Sequence, residues 1–186
     1  MKKTIVIFFI FCANCFATFA QKSLIVFFVD ATTDSIPIYC CDKDTTSFYI
    51  IKENEQEENW HNVELLEQSN NRYKVRITSC KEDATTPIIG WVDKEQCGVW
   101  LWGKKMSSKL WTFRLYRKPE QLHPFVRIVD EDIDGFGKYT NDKAAPVLDY
   151  KYYKGKYWIK TEILKDKKKY VGWTIDYCPN IYGSCN

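Results

Sequence analysis

The sequence predicts an all-β protein made of one small module used twice, and three observations carry that expectation. Aromatic residues are abundant, with twelve tyrosines and seven tryptophans in 186 residues, and such enrichment without long apolar stripes of helical period favours strands. Short alternating stretches, RYKVRI from Arg72 and YWIKTEI from Tyr157, are bounded by turn-forming residues. Paired positions also recur at a nearly constant interval, the mark of an internal repeat. Tyr39 and Phe48 reappear 77 residues on as Tyr116 and Phe125, and Gly90-Trp91 reappears 82 residues on as Gly172-Trp173.

Residues 1–20 read as a secretory signal peptide: Lys2-Lys3, an apolar run from Ile5 to Phe11, and small residues Thr18 and Ala20 ahead of Gln21. The apolar run is shorter than the roughly 20 residues that span a bilayer, so no transmembrane segment is expected after its removal. Without Lys2 and Lys3 the chain holds 25 basic against 24 acidic residues. A near-neutral surface argues against nucleic acid, whose phosphates reward a concentrated basic face.

In chain order, SLIVFFV from Ser23 reads as a buried strand, and Ile36 to Tyr39 opens the first module. FYII from Phe48, the hairpin through ELLEQSNNRYKVRI and the Gly90-Trp91 strand follow. The second module repeats this order with FRLY from Phe113, FVRIV from Phe125, VLDYKYYKGKYWIKTEI and Gly172-Trp173. Glycine before each tryptophan suits a close backbone approach, and strand alternation sends Trp91 and Val92, or Trp173 and Thr174, to opposite faces. The polar stretch Gly103 to Lys109 places the division near Ser107, giving modules 21–106 and 107–186. Lys165 to Lys169 reads as a solvated hairpin tip.

Six cysteines follow the signal peptide: Cys40, Cys41, Cys80, Cys97, Cys178 and Cys185. An even count in an exported chain points to disulfides, with Cys80–Cys97 and Cys178–Cys185 as candidate pairs among the possible connectivities. That part of the chain has no C-x-x-C and two histidines, a poor endowment for zinc or redox chemistry. Asp130, Asp132 and Asp134 precede Gly135 with the D-x-D-x-D-G spacing of a calcium loop. The twelfth loop position is Asn141 and the approach is strand-like, so a solvated turn is the competing reading.

Tyr39 or Tyr116 near each start, RYKVRI or YWIKTEI in the middle, and GWV or GWT near each end resemble bacterial SH3-type domains, small barrels of exported envelope proteins. The likeness covers most of residues 36–97 and 110–178. It departs at Arg72, where that family usually has tryptophan. The resemblance implies two tandem closed SH3-like barrels and an aromatic groove receiving cell-wall peptide or an envelope protein, with no cofactor. Tyr39, Tyr73, Trp91, Tyr116, Tyr157, Trp158, Trp173 and Tyr177 are the groove candidates, core filling being the alternative for each. The expected role is a non-enzymatic binding module, periplasmic, surface-bound or secreted. No nucleophile motif is present, and neither His61 nor His123 stands beside a cysteine in sequence. The alternatives are an inhibitor or immunity-type protein acting through a rigid loop at Ser79 to Pro87, an accessory to a cell-wall hydrolase, or a hydrolase of unrecognised type.

Overall fold

The computed structural model describes residues 23–28, 35–51, 61–79, 86–131, 136, 139–140 and 144–179. Residues 1–20, where a signal peptide is expected, lie outside them. Strands β1 (Leu24–Phe28), β2 (Ile36–Ile38), β3 (Tyr49–Ile51), β4 (His61–Gln68), β5 (Arg72–Ser79), β6 (Ile88–Asp93) and β7 (Cys97–Leu101) come first. They are followed by β8 (Lys104–Lys105), β9 (Trp111–Leu115), β10 (Val126–Asp130), β11 (Ala145–Pro146), β12 (Asp149–Tyr153), β13 (Lys156–Lys165), β14 (Lys168–Thr174) and β15 (Tyr177–Cys178). Among the described residues the chain is all-β, with short 3-10 turns at Lys94–Gln96 and at Phe136, Tyr139 and Thr140 and no α-helix. No helix among them is long and apolar enough to cross a membrane.

Strand registers repeat along the chain. Gly90 faces Val75 and Trp91 faces Lys74 across β5 and β6, as Gly172 faces Thr161 and Trp173 faces Lys160 across β13 and β14. Tyr39 and Trp91 exchange two backbone hydrogen bonds of 2.9 and 2.8 Å, and Tyr116 and Trp173 exchange two of 2.8 Å. Phe48 and Phe125 each donate a backbone N–H at 2.9 Å, to Ile38 and Leu115 respectively. The glycines are required sterically. A methyl group at Gly90 would come within 3.1 Å of the Tyr39 carbonyl oxygen, and one at Gly172 within 3.0 Å of the Tyr116 carbonyl oxygen.

The same periodicity reveals a shared strand. β1 pairs with β4 and with β7, while β7 pairs in its turn with β11 and with β15. Val26 faces Val63 as Val99 faces Ala145, and Phe28 faces Cys97 as Leu101 faces Tyr177. Strand β7 thus ends the first ladder and begins the second. The pairings of β7 with β11 and β15, together with β8 against β9, cross the position between residues 106 and 107.

The expectation of two closed barrels is corrected here. The described strands form a seven-stranded sheet, two three-stranded sheets and a two-stranded one, and none of these ladders returns to its starting strand.

Two apolar clusters fill the interior. One holds Leu24, Val26, Ile38, Val63, Tyr73, Val75 and Val92, and extends to Val147 and Ile159 of the second half. The other surrounds Phe113, Leu115 and Phe136 and takes in Leu101 of β7. Strands such as β4, β5 and β13 turn one row of side chains inward, as a period of two demands. Two tight turns join β12 to β13 and β13 to β14. Lys154-Gly155 (φ 48° and 80°) and Asp166-Lys167 (φ 52° and 59°) occupy their left-handed central positions, the geometry that matches strand twist in two-residue hairpins.

Candidate binding site

Two equivalent surface patches are built by the repeated Tyr bridge, and they differ in chemistry. On β13 the residues Tyr157, Ile159, Thr161 and Ile163 alternate with Trp158, Lys160 and Glu162. Ile159, Thr161 and Ile163 are buried, so Trp158 falls on the outer row. Lys160, also on that row, faces Trp173 of β14, and Tyr116 bridges Trp173 from β9. The Tyr116 and Trp158 rings meet edge to face, with centroids 5.3 Å apart and planes at 83°. Such pairs contribute about 1 kcal/mol beyond their buried area. Trp158 and Trp173 are half-buried, leaving indole surface to solvent, whereas Tyr116 is largely buried.

In the first patch Arg72 precedes Tyr73 as Trp158 precedes Ile159. Its guanidinium lies 3.4 Å from the centre of the Tyr39 ring. It also donates to Asp93 at 2.8 Å and to the backbone carbonyl oxygens of Asp44 at 2.7 Å and of Cys41 and Asp42 at 3.3 Å. Arg72 therefore anchors the 41–44 turn. Within that turn the Cys41 thiol and backbone N–H each donate to the Asp44 carboxylate at 2.9 Å, holding its pKa below the usual carboxylate value. The first patch spends its central side chain on structure, and the second leaves an indole in the equivalent place.

Other groove candidates belong to the interior. Tyr73 is fully buried, donates its hydroxyl to the Val147 carbonyl oxygen at 2.9 Å, and has its pKa pushed up by burial. It is corrected from ligand binding to core. Tyr157 and Tyr177 are half-buried and pack against the first cluster. The Tyr177 hydroxyl donates to the Tyr157 carbonyl oxygen at 3.4 Å, and burial raises its pKa. Neither shares the patch of Tyr116 and Trp158. Tyr39 and Trp91 stay half-buried beneath and beside Arg72.

The cysteines divide. Cys97 is a free thiol, completely buried, and burial raises its pKa. Its pairing with Cys80 is corrected: β7 turns Cys97 inward among apolar side chains, and Cys80 lies outside the described residues. A buried thiol with a raised pKa is also the reverse of an activated nucleophile. Cys40 and Cys41 are free and exposed. Cys178 is buried and engaged in a bond rather than free, while its expected partner Cys185 lies outside the described residues. So do Asp132 and Asp134 of the expected calcium loop and most of the Ser79 to Pro87 loop. Asp130 ends β10 opposite Trp111, and no metal-holding cluster occurs among the described residues. His61 lies on β4, paired with Ser79, and His123 is exposed in the segment between β9 and β10.

Sequence reasoning missed the cationic face beside Tyr116. Arg114 on β9 makes a bidentate pair with the buried Asp176, its Nε donating at 2.8 Å, and that hydrogen bonding raises the Arg114 pKa. Directly across the ladder stands Arg127. Superposing the two repeats would have exposed the pair, because the same rung of the first copy holds Pro37 and Ile50. Comparisons with protein-family models, with curated proteins and with solved structures return no match for this chain.

Proposed function

We propose that the protein is an exported, non-enzymatic binding module of the bacterial envelope, made of two tandem SH3-like units joined through β7. It recognises an extended peptide, of the cell wall or of a partner protein, at the patch formed by Tyr116, Trp158 and Trp173. The observation that supports this reading is the divergence of two equivalent patches: Arg72 is consumed by the 41–44 turn, whereas Trp158 keeps an exposed aromatic surface. Half-exposed tryptophans held by strands gain affinity by burying large area at little rotamer cost. Binding would proceed by stacking and backbone hydrogen bonding, with no covalent step.

The test is retention of envelope proteins from a membrane extract, alongside co-sedimentation with purified peptidoglycan, for the wild type and Trp158→Ala. The wild type is expected to retain one of the two. Trp158→Ala should lose roughly tenfold or more in affinity, the scale of a hot-spot aromatic, with an unchanged circular dichroism spectrum. Retention of neither class by the wild type, or undiminished binding by the variant, sinks the proposal.

A further inference from the structure

We infer that the outer face of β8, β9 and β10 is a second part of this site, a cationic pocket that takes carboxylates of an acidic peptide. The inference rests on the binding-module reading and adds the charge of the ligand. Strand register assembles the pocket. Lys104 faces Thr112 across β8 and β9, Thr112 faces Val129, and Arg114 faces Arg127 across β9 and β10. Thr112, Arg114 and Tyr116 alternate along one row, which turns Lys104 and Arg127 to the same side. Together with Lys105, Met106, Leu122 and Pro124 they line an open cavity of about 340 Å³.

Charge is unbalanced there. Of the four cations lining the cavity, Arg114 is neutralised by Asp176. Arg127 reaches two neutral atoms only weakly, Thr112 Oγ1 and Met106 Sδ, both at 3.4 Å. No carboxylate lines the cavity among the described residues. Like charges directly opposite in a ladder are destabilising, and the fold does not require them, since Pro37 and Ile50 occupy the same rung in the first copy. An arginine held opposite another arginine, whose planar fork meets neutral acceptors and no carboxylate among the described residues, suits bidentate recognition of a carboxylate. Leu122, with 89% of its surface exposed, supplies an apolar rim. Tyr116 lines the pocket and touches Trp158, so one extended ligand would place an acidic side chain on Arg127 and Lys104 while its neighbour covers the indole.

The experiment is fluorescence anisotropy of the whole mature protein with fluorescein-labelled hexaglutamate, hexaglutamine as the uncharged control, and inorganic phosphate as competitor. Hexaglutamate is expected to bind at least tenfold more tightly than hexaglutamine, and to weaken as sodium chloride rises from about 50 to 300 mM. Arg127→Gln and Lys104→Gln should each weaken it about three- to tenfold. Both side chains are exposed, so the substitutions leave the fold intact, which a thermal melt checks. Equal binding of the two peptides, or hexaglutamate binding that ignores both substitutions, overturns the inference. Displacement by phosphate at concentrations far below those of hexaglutamate carboxylates would overturn the peptide assignment in favour of a phosphate-bearing ligand. Trp158→Ala separates the two readings. If that variant alone fails on envelope material while Arg127→Gln binds normally, the aromatic patch stands and the cationic pocket falls.

Discussion

Thr161 is completely buried on β13, and its hydroxyl has no hydrogen-bond partner among the described residues. The matching position of the first copy is Val75, which faces Gly90 as Thr161 faces Gly172. An unsatisfied buried hydroxyl costs on the order of 1–3 kcal/mol, and valine has nearly the same shape. Thr161→Val is therefore expected to raise unfolding stability by about 1 kcal/mol, read as a higher urea midpoint at unchanged slope. A lower midpoint would mean that the hydroxyl is satisfied in solution. Thr174, two rungs away, behaves differently because its Oγ1 accepts the Asp176 N–H at 2.8 Å. Valine there would strip a partner from the turn that positions the carboxylate paired with Arg114.

At the scale of elements, the hairpin between β13 and β14 places two non-glycine residues, Asp166 and Lys167, in the left-handed region. That conformation costs roughly 1 kcal/mol or more for an ordinary side chain, and the preceding hairpin avoids half of the cost with Gly155. Replacing Asp166-Lys167 by Asn-Gly should stabilise the protein by about 1 kcal/mol, measured as a rise in melting temperature. No rise would show that this end of the β13–β14 ladder is already frayed. The two three-stranded sheets answer different needs. β12, β13 and β14 present the indoles, while β8, β9 and β10 present the cations, and Tyr116 stands where the two surfaces meet.

For the molecule as a whole, β7 decides which pieces are autonomous. A fragment of residues 107–186 lacks the strand that pairs with both β11 and β15, leaving two sheet edges open. Residues 97–186 are expected to give a β-type circular dichroism spectrum with a cooperative melt, and residues 107–186 a disordered chain. Cooperative folding of the shorter fragment would show that the β7 pairings are dispensable. Much of this architecture was legible in the sequence because it is local: Gly-Trp pairs, the tyrosines and phenylalanines at constant offset, and alternation within each strand. The bridges Tyr39 to Trp91 and Tyr116 to Trp173 join the residues whose spacing first suggested a repeat. Less legible was anything set by distant pairing. Alternation alone does not say that Tyr73 lies on the inner row while Arg72 does not. No local signal marks CGVWL as a strand serving two ladders, and the Arg114–Arg127 rung emerges only when one repeat's register is laid on the other's.

Double service also constrains what evolution can do with residues 97–101. Inward side chains from this strand contribute to both apolar clusters, Cys97 and Val99 to one and Leu101 to the other, so a substitution must suit two neighbourhoods at once. A slip by a single position would invert the strand's faces for both halves together. The two copies differ on their outer surfaces, at Arg72 and Trp158, yet share one strand at their common seam.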